Sequence, residues 1–204
     1  MNIVVFGASG RTGRLVVEEA LDKGHAVTAF VRHRHAGAEE HPKLRVIVGD
    51  AVDAGAVEAA ISGQDGVVSV LGPDSRRPDD VCSESTERII ASMKRQGVAR
   101  LIAVTAATDI EGGFLFDKIV RPLFMRRIYE DKERQEMSIF KSGLDWTIIR
   151  PPILRDGPRT GAYRLAIGAA PKGGWRVSRA DVAELIVKEL PRKDYVHQAL
   201  VVAY

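Results

Sequence analysis

The sequence predicts an α/β fold with a doubly wound parallel sheet. Short apolar runs alternate with segments of helical periodicity along the 204 residues, and this order favours parallel strands joined by right-handed crossovers. Residues Gly66 to Leu71 are apolar apart from Ser69, as expected for a strand covered on both faces. The length suits one core. We therefore expect a single domain over residues 1–204.

The first strand, turn and helix carry the strongest functional signal. Residues 1–14 read MNIVVFGASGRTGR, a short apolar strand followed by three glycines. In a dinucleotide-binding turn Gly7 allows the bend, Gly10 lets the backbone approach a pyrophosphate, and Gly13 lets the helix lie close to the strand. The phosphates would bind at the helix N-terminus. The pattern predicts a Rossmann-type fold, and an ordinary turn without a ligand is the alternative.

The second strand predicts which dinucleotide binds. An amphipathic helix over Arg14–Lys23 leads to a strand over Ala26–Val31, which ends in Arg32. An acid at this place would accept hydrogen bonds from the ribose and repel a 2′-phosphate. The chain has basic residues here instead, and Arg11 lies in the glycine turn, so we predict NADP(H) over NAD(H) because a guanidinium binds phosphate. The alternative is a solvated basic loop. The basic run comprises Arg32, His33, Arg34 and His35.

The remaining elements continue the alternation. The predicted strands are Leu44–Val48, Gly66–Leu71, Arg100–Thr105, Asp145–Arg150 and Ala199–Ala203. Two predicted helices are Asp53–Ile61 and Cys82–Gln96. A third helix is predicted to begin at the capping sequence Ser178-Arg-Ala-Asp181 and to end at Pro191. Ligands of such sheets bind at the carboxyl ends of the strands. We expect the loops there to converge on one crevice.

Two segments exceed a minimal nucleotide-binding fold. Phe114–Lys141 is mostly helical by pattern, with a break at Pro122. Its apolar and basic first part, with Phe116 and Phe124, is predicted to form a substrate-side wall, and packing in the core is the alternative. Residues 151–177 are rich in Pro, Gly and Arg. We expect an irregular excursion over the nicotinamide end of the crevice.

Composition excludes several classes of protein. The net charge of +3 and pI of 9.1 are mild, and cations are interleaved with acids, so no nucleic-acid surface is predicted. No apolar run approaches the length of a membrane span. The first apolar run is predicted to be a strand and not a signal peptide. One cysteine, Cys82, suits a reducing cytoplasm and has no flanking His to make it a nucleophile. No metal site is predicted.

The motifs together carry a family resemblance. GASGRTG, VGD, VLG, SGLDWTIIRPP and SRADVA resemble the atypical short-chain dehydrogenase/reductases. The chain looks most like the small NAD(P)H-dependent flavin reductase and biliverdin reductase B group, and more distantly like NmrA-type NADP-binding proteins. The resemblance implies a cofactor-binding set of Gly7, Ser9, Gly10, Arg11, Thr12 and Gly13 for the diphosphate, Arg32 for the 2′-phosphate, Asp50 and Ala51 for adenine, Leu71 and Gly72 for the adenine ribose, Thr105 for the nicotinamide ribose, and Pro151, Pro152 and Ile153 for the nicotinamide face.

The chain departs from the family in its catalytic residues. Conventional members carry a Ser after the fifth strand and a Tyr-x-x-x-Lys helix, in which the phenol donates a proton. Here Ala106 replaces the Ser, and Tyr129 stands three residues before Lys132. Tyr129 and Lys132 remain the catalytic candidates, because residues three apart share a helix face. For Lys132 a contact to the cofactor ribose and a solvated lysine beside Glu136 are both open.

These observations predict an NADPH-dependent reductase that transfers hydride to a flavin or a similar planar acceptor such as a quinone. Such acceptors need little help from a protein acid. The alternative is a non-catalytic NADP(H)-binding redox sensor of NmrA-like type. A nucleotide-sugar epimerase is disfavoured by the missing Tyr-x-x-x-Lys. The expected partners are a small-molecule substrate and, for a homodimer, a second copy of the chain; a monomer is equally compatible. Ile153, where biliverdin reductase B relatives often have His, disfavours tetrapyrrole reduction.

Overall fold

The computed structural model describes residues 1–33, 41–72, 80–107, 126–168 and 171–204. The described strands are β1 (Asn2–Phe6), β2 (Ala26–Val31), β3 (Leu44–Val48), β4 (Gly66–Ser69), β5 (Arg100–Val104), β6 (Asp145–Arg150), β7 (Leu154–Arg155), β8 (Arg164–Ile167), β9 (Val177–Ser178) and β10 (Gln198–Ala203). The described helices are α1 (Arg11–Asp22), α2 (Ala54–Ile61), α3 (Val81–Gln96), α4 (Arg126–Phe140) and α5 (Arg179–Arg192).

Eight strands form one sheet in the order β3-β2-β1-β4-β5-β6-β10-β8. Neighbouring strands are parallel except for β10 and β8, which are antiparallel. The chain builds outward in one direction from β1 to β3 and in the other from β4 onward, so the switch point lies between β1 and β4, where doubly wound sheets bind their ligands. The predicted doubly wound Rossmann-type sheet is confirmed.

The two faces of the sheet are covered by different helices. Side chains alternate along β1, so that Ile3 and Val5 belong to one buried cluster while Val4 and Phe6 belong to the other. Residues of α1 and α5 complete the first cluster, and residues of α2, α3 and α4 complete the second. These four β1 side chains are fully buried, and each contributes about 1.5–3 kcal/mol by leaving water. The covering helices leave the strand ends open for a site.

Helix caps agree with the sequence at two places. Asp53 precedes α2 and accepts hydrogen bonds from the amides of Gly55 and Ala56 at 2.8 and 3.2 Å. Ser178 precedes α5 and accepts one from the amide of Asp181 at 3.0 Å, as its spacing predicts. These caps fix where both helices begin.

Two predicted helix ends are wrong. Helix α1 begins at Arg11 and not at Arg14, because Gly13 lets its first turn lie directly against the carbonyl of Gly7. Helix α5 continues through Pro191 to Arg192. The helix closes only at Lys193, whose amide donates to the carbonyl oxygen of Glu189 at 3.2 Å.

The segment predicted as an irregular excursion is partly ordered into strands. β8 pairs with β10 along one edge of the main sheet, and β7 pairs with β9 in a small separate sheet. Their lengths of two to four residues are too short for a period-two pattern to be visible in the sequence. The predicted wall with Phe116 and Phe124, and the break at Pro122, lie outside the described residues. Within the described chain, no helix combines the length and apolarity that crossing a membrane requires.

Candidate functional site

A cleft of about 550 Å³ opens at the carboxyl ends of the strands, across the switch point. The turns after β1 to β5 and the first turns of α1 and α5 line it. The predicted site residues on its wall are Gly7, Ser9, Gly10, Arg11, Thr12, Gly13, Arg32, Asp50, Ala51, Leu71, Gly72, Thr105 and Lys132. The structure therefore brings together residues that lie as far apart in sequence as Gly7 and Lys132. Arg34 and His35 lie outside the described residues.

Four predicted residues lie outside the wall formed by the described chain: Pro151, Pro152, Ile153 and Tyr129. Pro151 is buried, and its carbonyl accepts from the amide of Ala107 at 3.5 Å. The carbonyl of Ile153 accepts from the amide of Val177 at 3.0 Å. The neighbouring Leu154 and Ile128 reach the cleft instead. The roles of all four predicted residues stay predictions.

The three glycines of the first turn meet different constraints. Gly7 has a φ of +82°, and a Cβ there would lie 2.8 Å from the carbonyl oxygen of Val70. A Cβ on Gly13 would lie 2.1 Å from the carbonyl oxygen of Gly7. Gly10 has a φ of −72° and a ψ of 164°, which any residue adopts. A Cβ there would approach only the carbonyl oxygen of Gly7, at 3.2 Å. The fold thus requires Gly7 and Gly13, whereas Gly10 mainly keeps the cleft wall open.

The N-terminus of α1 faces the cleft without a side-chain cap. Gly10 is the N-cap residue, and the first turn carries no acidic side chain. Its amides and the positive end of the helix dipole therefore suit an anion in the cleft. Ser9 and Thr12, both half-buried on the same wall, add hydroxyl groups. This is a cradle that fits the diphosphate of a dinucleotide.

Lys132 is buried, and this excludes the solvated alternative. Its side chain lines the cleft, and its Nζ donates to the carbonyl oxygen of Leu71 and to Oε1 of Gln135, both at 2.9 Å. Gln135 is itself held, because its Nε2 donates to Oγ1 of Thr86 at 3.0 Å. The lysine links α4 to the turn after β4.

Glu136, four residues farther along α4, binds two other partners. Its Oε1 accepts the hydroxyl hydrogen of Thr105 at 2.5 Å and a hydrogen bond from Nε of Arg150 at 2.9 Å. A second hydrogen bond joins Nη2 of Arg150 to Oε2. Thr105 reaches the cleft while Glu136 is 7% exposed. Sequence reasoning placed Glu136 beside Lys132 and missed this cluster, because helix spacing does not show which neighbour a carboxylate prefers.

Cys82 is a structural residue at the start of α3. Asp131 of α4 accepts hydrogen bonds from the amides of Cys82 and Ser83 at 3.0 and 2.9 Å, so it caps α3 from a neighbouring helix. Burial raises the pKa of the Cys82 thiol, and the thiolate is correspondingly disfavoured near neutral pH. This agrees with the sequence-based view that Cys82 is not a nucleophile.

Arg179 is a cleft residue that sequence reasoning missed. It is the first residue of α5, it is buried, and it lines the cleft. Its Nη1 donates to Oδ1 of Asp156 at 2.7 Å, and Nη1 of Arg11 lies 3.4 Å from the other carboxylate oxygen. A signal was present in the sequence, because a cation in the first turn opposes the helix dipole.

Comparison with known proteins identifies the family. A family model described as NAD(P)H-binding matches residues 7–193. The chain belongs to this NAD(P)H-binding family. The match extends from the glycine turn through α5, so it includes every described residue that lines the cleft.

Proteins similar to this chain have been given names that point to different activities. A Bacillus subtilis protein named as an uncharacterized sugar epimerase, YhfK, is 27% identical, covering 98% of this chain and 92% of its own. A Rossmann-fold NAD(P)-binding family protein from Shigella flexneri is 26% identical, with a TM-score of 0.76 and coverage of 98% and 92%. A Streptococcus pneumoniae protein provisionally named an NADH-flavin reductase shares the fold at 24% identity, with a TM-score of 0.78 and coverage of 100% and 99%.

Proposed function

We propose that the protein is an NADPH-dependent reductase of flavins or similar planar acceptors such as quinones. One observation carries the proposal. Beyond the glycine turn the cleft wall presents Thr105, Ala106 and Ile128, where conventional relatives of this fold place a Ser and a Tyr that deliver a proton. The described wall thus combines a dinucleotide cradle with a surface that has neither a Ser at position 106 nor a Tyr at position 128. The hydroxyl and ammonium donors of the described wall beyond the glycine turn are Ser85, Thr105 and Lys132.

The phosphate-binding end supports NADP(H). Arg32 lies on the cleft wall directly after β2, where an acid would select NAD(H). Arg11 lies on the same wall, in the first turn of α1. Two guanidinium groups on one wall suit a ligand that carries a third phosphate. In this proposal Arg32 binds the 2′-phosphate, and Asp50 and Ala51 lie at the adenine.

The chain's own residues bind and orient the cofactor. The uncapped amides of α1 hold the diphosphate, and Gly10 leaves room for it. Lys132 keeps the turn at Leu71 in place through its 2.9 Å hydrogen bond, which shapes the ribose-binding part of the wall. When bound, the nicotinamide supplies the two electrons as hydride. The cleft supplies orientation.

The available protons favour an acceptor that needs none from the protein. Reduction of a carbonyl to an alcohol requires a proton at the developing alkoxide. The hydroxyl hydrogen of Thr105 is held by Glu136, and two hydrogens of the Lys132 ammonium are donated to Leu71 and Gln135. A flavin or quinone spreads the incoming charge over its rings and takes protons from solvent. Such acceptors can therefore be reduced without a proton from Thr105 or Lys132.

Two other functions compete with this one. The name of the Bacillus subtilis relative suggests sugar epimerisation, but the Tyr-x-x-x-Lys spacing that supports such chemistry is absent here. The other competitor is a non-catalytic NADP(H)-binding sensor, which Ala106 favours because a sensor needs no catalytic hydroxyl.

Steady-state NADPH oxidation tests the proposal. The purified chain is assayed anaerobically with FMN, FAD, riboflavin, a soluble quinone, an aldehyde and a nucleotide-sugar, and formation of the reduced acceptor is followed beside loss of NADPH. We expect turnover with the flavins or the quinone and none with the aldehyde or the sugar. If calorimetry shows that NADPH binds but no acceptor is reduced, the reductase proposal is wrong and the NADP(H)-binding sensor becomes the favoured function. Gly10→Val is the control for catalysis outside the cleft.

A further inference from the structure

The side chain of Arg179 is 10% exposed, yet it carries a charge into the cleft. Its position as the first residue of α5 places a cation at the positive end of that helix dipole, which is unfavourable. A charge that leaves water also needs an anionic partner. The stability of α5 therefore gives no reason for an arginine here, whereas an anion in the cleft does.

Asp156 lies between two arginines. Its Oδ1 accepts a 2.7 Å hydrogen bond from Arg179, and its Oδ2 lies 3.4 Å from Nη1 of Arg11. Arg11 stands at the start of α1, beside Gly10. The Asp156 side chain is 71% exposed, so moving it off the arginines costs little desolvation. One exposed carboxylate thus pairs with two guanidinium groups at the glycine turn and leaves a net positive charge there.

Helices α1 and α5 pack against each other on one face of the sheet. Their first residues, Arg11 and Arg179, both line the cleft and share Asp156. The positive ends of two helix dipoles and two guanidinium groups therefore converge at one place on the wall. This arrangement attracts an anion with more than one negative charge.

We propose that Arg179 binds the diphosphate of the dinucleotide and that Asp156 is the counterion which the diphosphate displaces. The inference rests on the cofactor site of the proposed function and assigns it a residue from the far end of the chain. A guanidinium fork matches two phosphate oxygens. The 2′-phosphate is assigned to Arg32 at the end of β2, so Arg179 acts on the part that NADH and NADPH share.

Calorimetric titration of Arg179→Met tests this assignment. ADP-ribose is the main probe because it contains the diphosphate without the nicotinamide, and NADH and NADPH are titrated beside it. We expect all three to bind about 10- to 100-fold more weakly, the scale of losing charge-assisted hydrogen bonds. The ratio of NADPH to NADH affinity stays unchanged. Unchanged ADP-ribose affinity, or a loss confined to NADPH, would overturn the inference.

Two controls make the result specific. Arg159→Met removes another arginine near the same loop. Arg159 pairs with Glu19 at a distance of 2.8 Å and does not line the cleft. Its replacement should leave the affinity for ADP-ribose unchanged. Arg179→Lys keeps the charge and should recover part of the affinity. Circular dichroism of each ligand-free variant checks the fold.

Asp156→Asn gives an independent test that leaves Arg179 in place. Removing the competing carboxylate should make ADP-ribose bind about two- to fivefold more tightly, a modest gain because the carboxylate is largely exposed and screened. A tenfold loss would show that Asp156 orients Arg179 and would overturn its role as displaced counterion. These titrations involve no acceptor, so failure of flavin reduction in the parent would reject the reductase and leave this inference standing.

Discussion

The carboxylate of Glu136 joins Thr105 to Arg150, accepting the threonine hydroxyl at 2.5 Å and the guanidinium Nε at 2.9 Å. The ends of β5 and β6 are thereby held together by one residue of α4. Because Thr105 donates to Glu136, its oxygen offers lone pairs to the cleft. A hydroxyl or amide group of a bound ligand is the partner that such an oxygen accepts from.

Replacing this carboxylate should destabilise the protein. Glu136→Gln removes the charge opposite Arg150, whose side chain is 14% exposed, and we expect a loss of about 3 kcal/mol in unfolding free energy. Urea unfolding at neutral pH measures it. Glu58→Gln is the matched control, because it breaks an exposed 2.8 Å pair with Arg95 and should cost less than about 1 kcal/mol. Equal losses in the two variants would contradict the role of Glu136.

Cofactor choice should reverse in Arg32→Glu. The parent is expected to bind NADPH more tightly than NADH, because Arg32 on the cleft wall is proposed to bind the 2′-phosphate. The variant carboxylate would repel that phosphate and accept hydrogen bonds from the ribose hydroxyls of NADH. Calorimetric titration of both cofactors is the measurement. Arg45→Glu, an exposed charge reversal on β3 away from this cleft, should leave the preference unchanged. Equal affinities of the parent for NADPH and NADH would contradict the role of Arg32 in selecting NADPH.

Gly10→Val should abolish NADPH binding in a folded protein. The backbone dihedral angles at Gly10 suit any residue, and a Cβ there would lie 3.2 Å from the carbonyl oxygen of Gly7, which requires a shift of only a few tenths of an ångström. A valine would therefore act mainly by filling the space of the diphosphate. Gly13→Ala should instead unfold α1 or the whole protein, since its Cβ would lie 2.1 Å from the carbonyl oxygen of Gly7. Circular dichroism and NADPH titration separate the two outcomes. Retained binding in folded Gly10→Val would show that the phosphates bind elsewhere.

Loss of the Tyr129 hydroxyl should have little effect on flavin reduction. Ile128 and not Tyr129 reaches the described cleft wall, so Tyr129→Phe should retain kcat/KM within about threefold, against the ~100-fold or larger loss expected when a general acid is removed. Ala106→Ser should likewise change the rate little. A large loss in Tyr129→Phe would mean that the phenol reaches the acceptor during turnover.

The sequence predicted the parts of this protein that depend on local pattern. The alternation of strands and helices, the glycine turn and the cap at Ser178 follow from periodicity and turn chemistry, and the structure contains each of them. The pairing of Glu136 with Arg150 and of Arg179 with Asp156 could not be predicted, because those partners meet only after the strands are ordered. β8 was missed because a four-residue edge strand resembles a loop in sequence. The sequence left open whether Lys132 contacts the cofactor ribose or is solvated beside Glu136, because the spacing of residues on a helix does not show how deeply a side chain is buried.

The stability of the protein should fall in acid partly through Asp181. This residue is fully buried. Burial alone would raise the pKa of its carboxyl, but hydrogen bonds from Tyr204, Gly161 and Thr160 outweigh burial and hold the pKa below the ordinary 3.8. A carboxyl with a lowered pKa in the folded state stabilises that state above the unfolded pKa, and the contribution is lost as the pH falls through the folded pKa.

Asp181→Asn therefore should lower the unfolding free energy at pH 7 by at least about 2 kcal/mol, as hydrogen bonds to the charged group are lost. The variant and the parent should converge as the pH is lowered below the ordinary carboxyl pKa of 3.8, because the parent carboxyl, with its lowered pKa, gains its proton only there. Urea unfolding across this range is the measurement. Asp194→Asn, which breaks an exposed 2.8 Å pair with Arg192, is the control and should run parallel to the parent. A constant difference between Asp181→Asn and the parent at every pH would contradict the electrostatic account, because a packing defect alone does not depend on protonation.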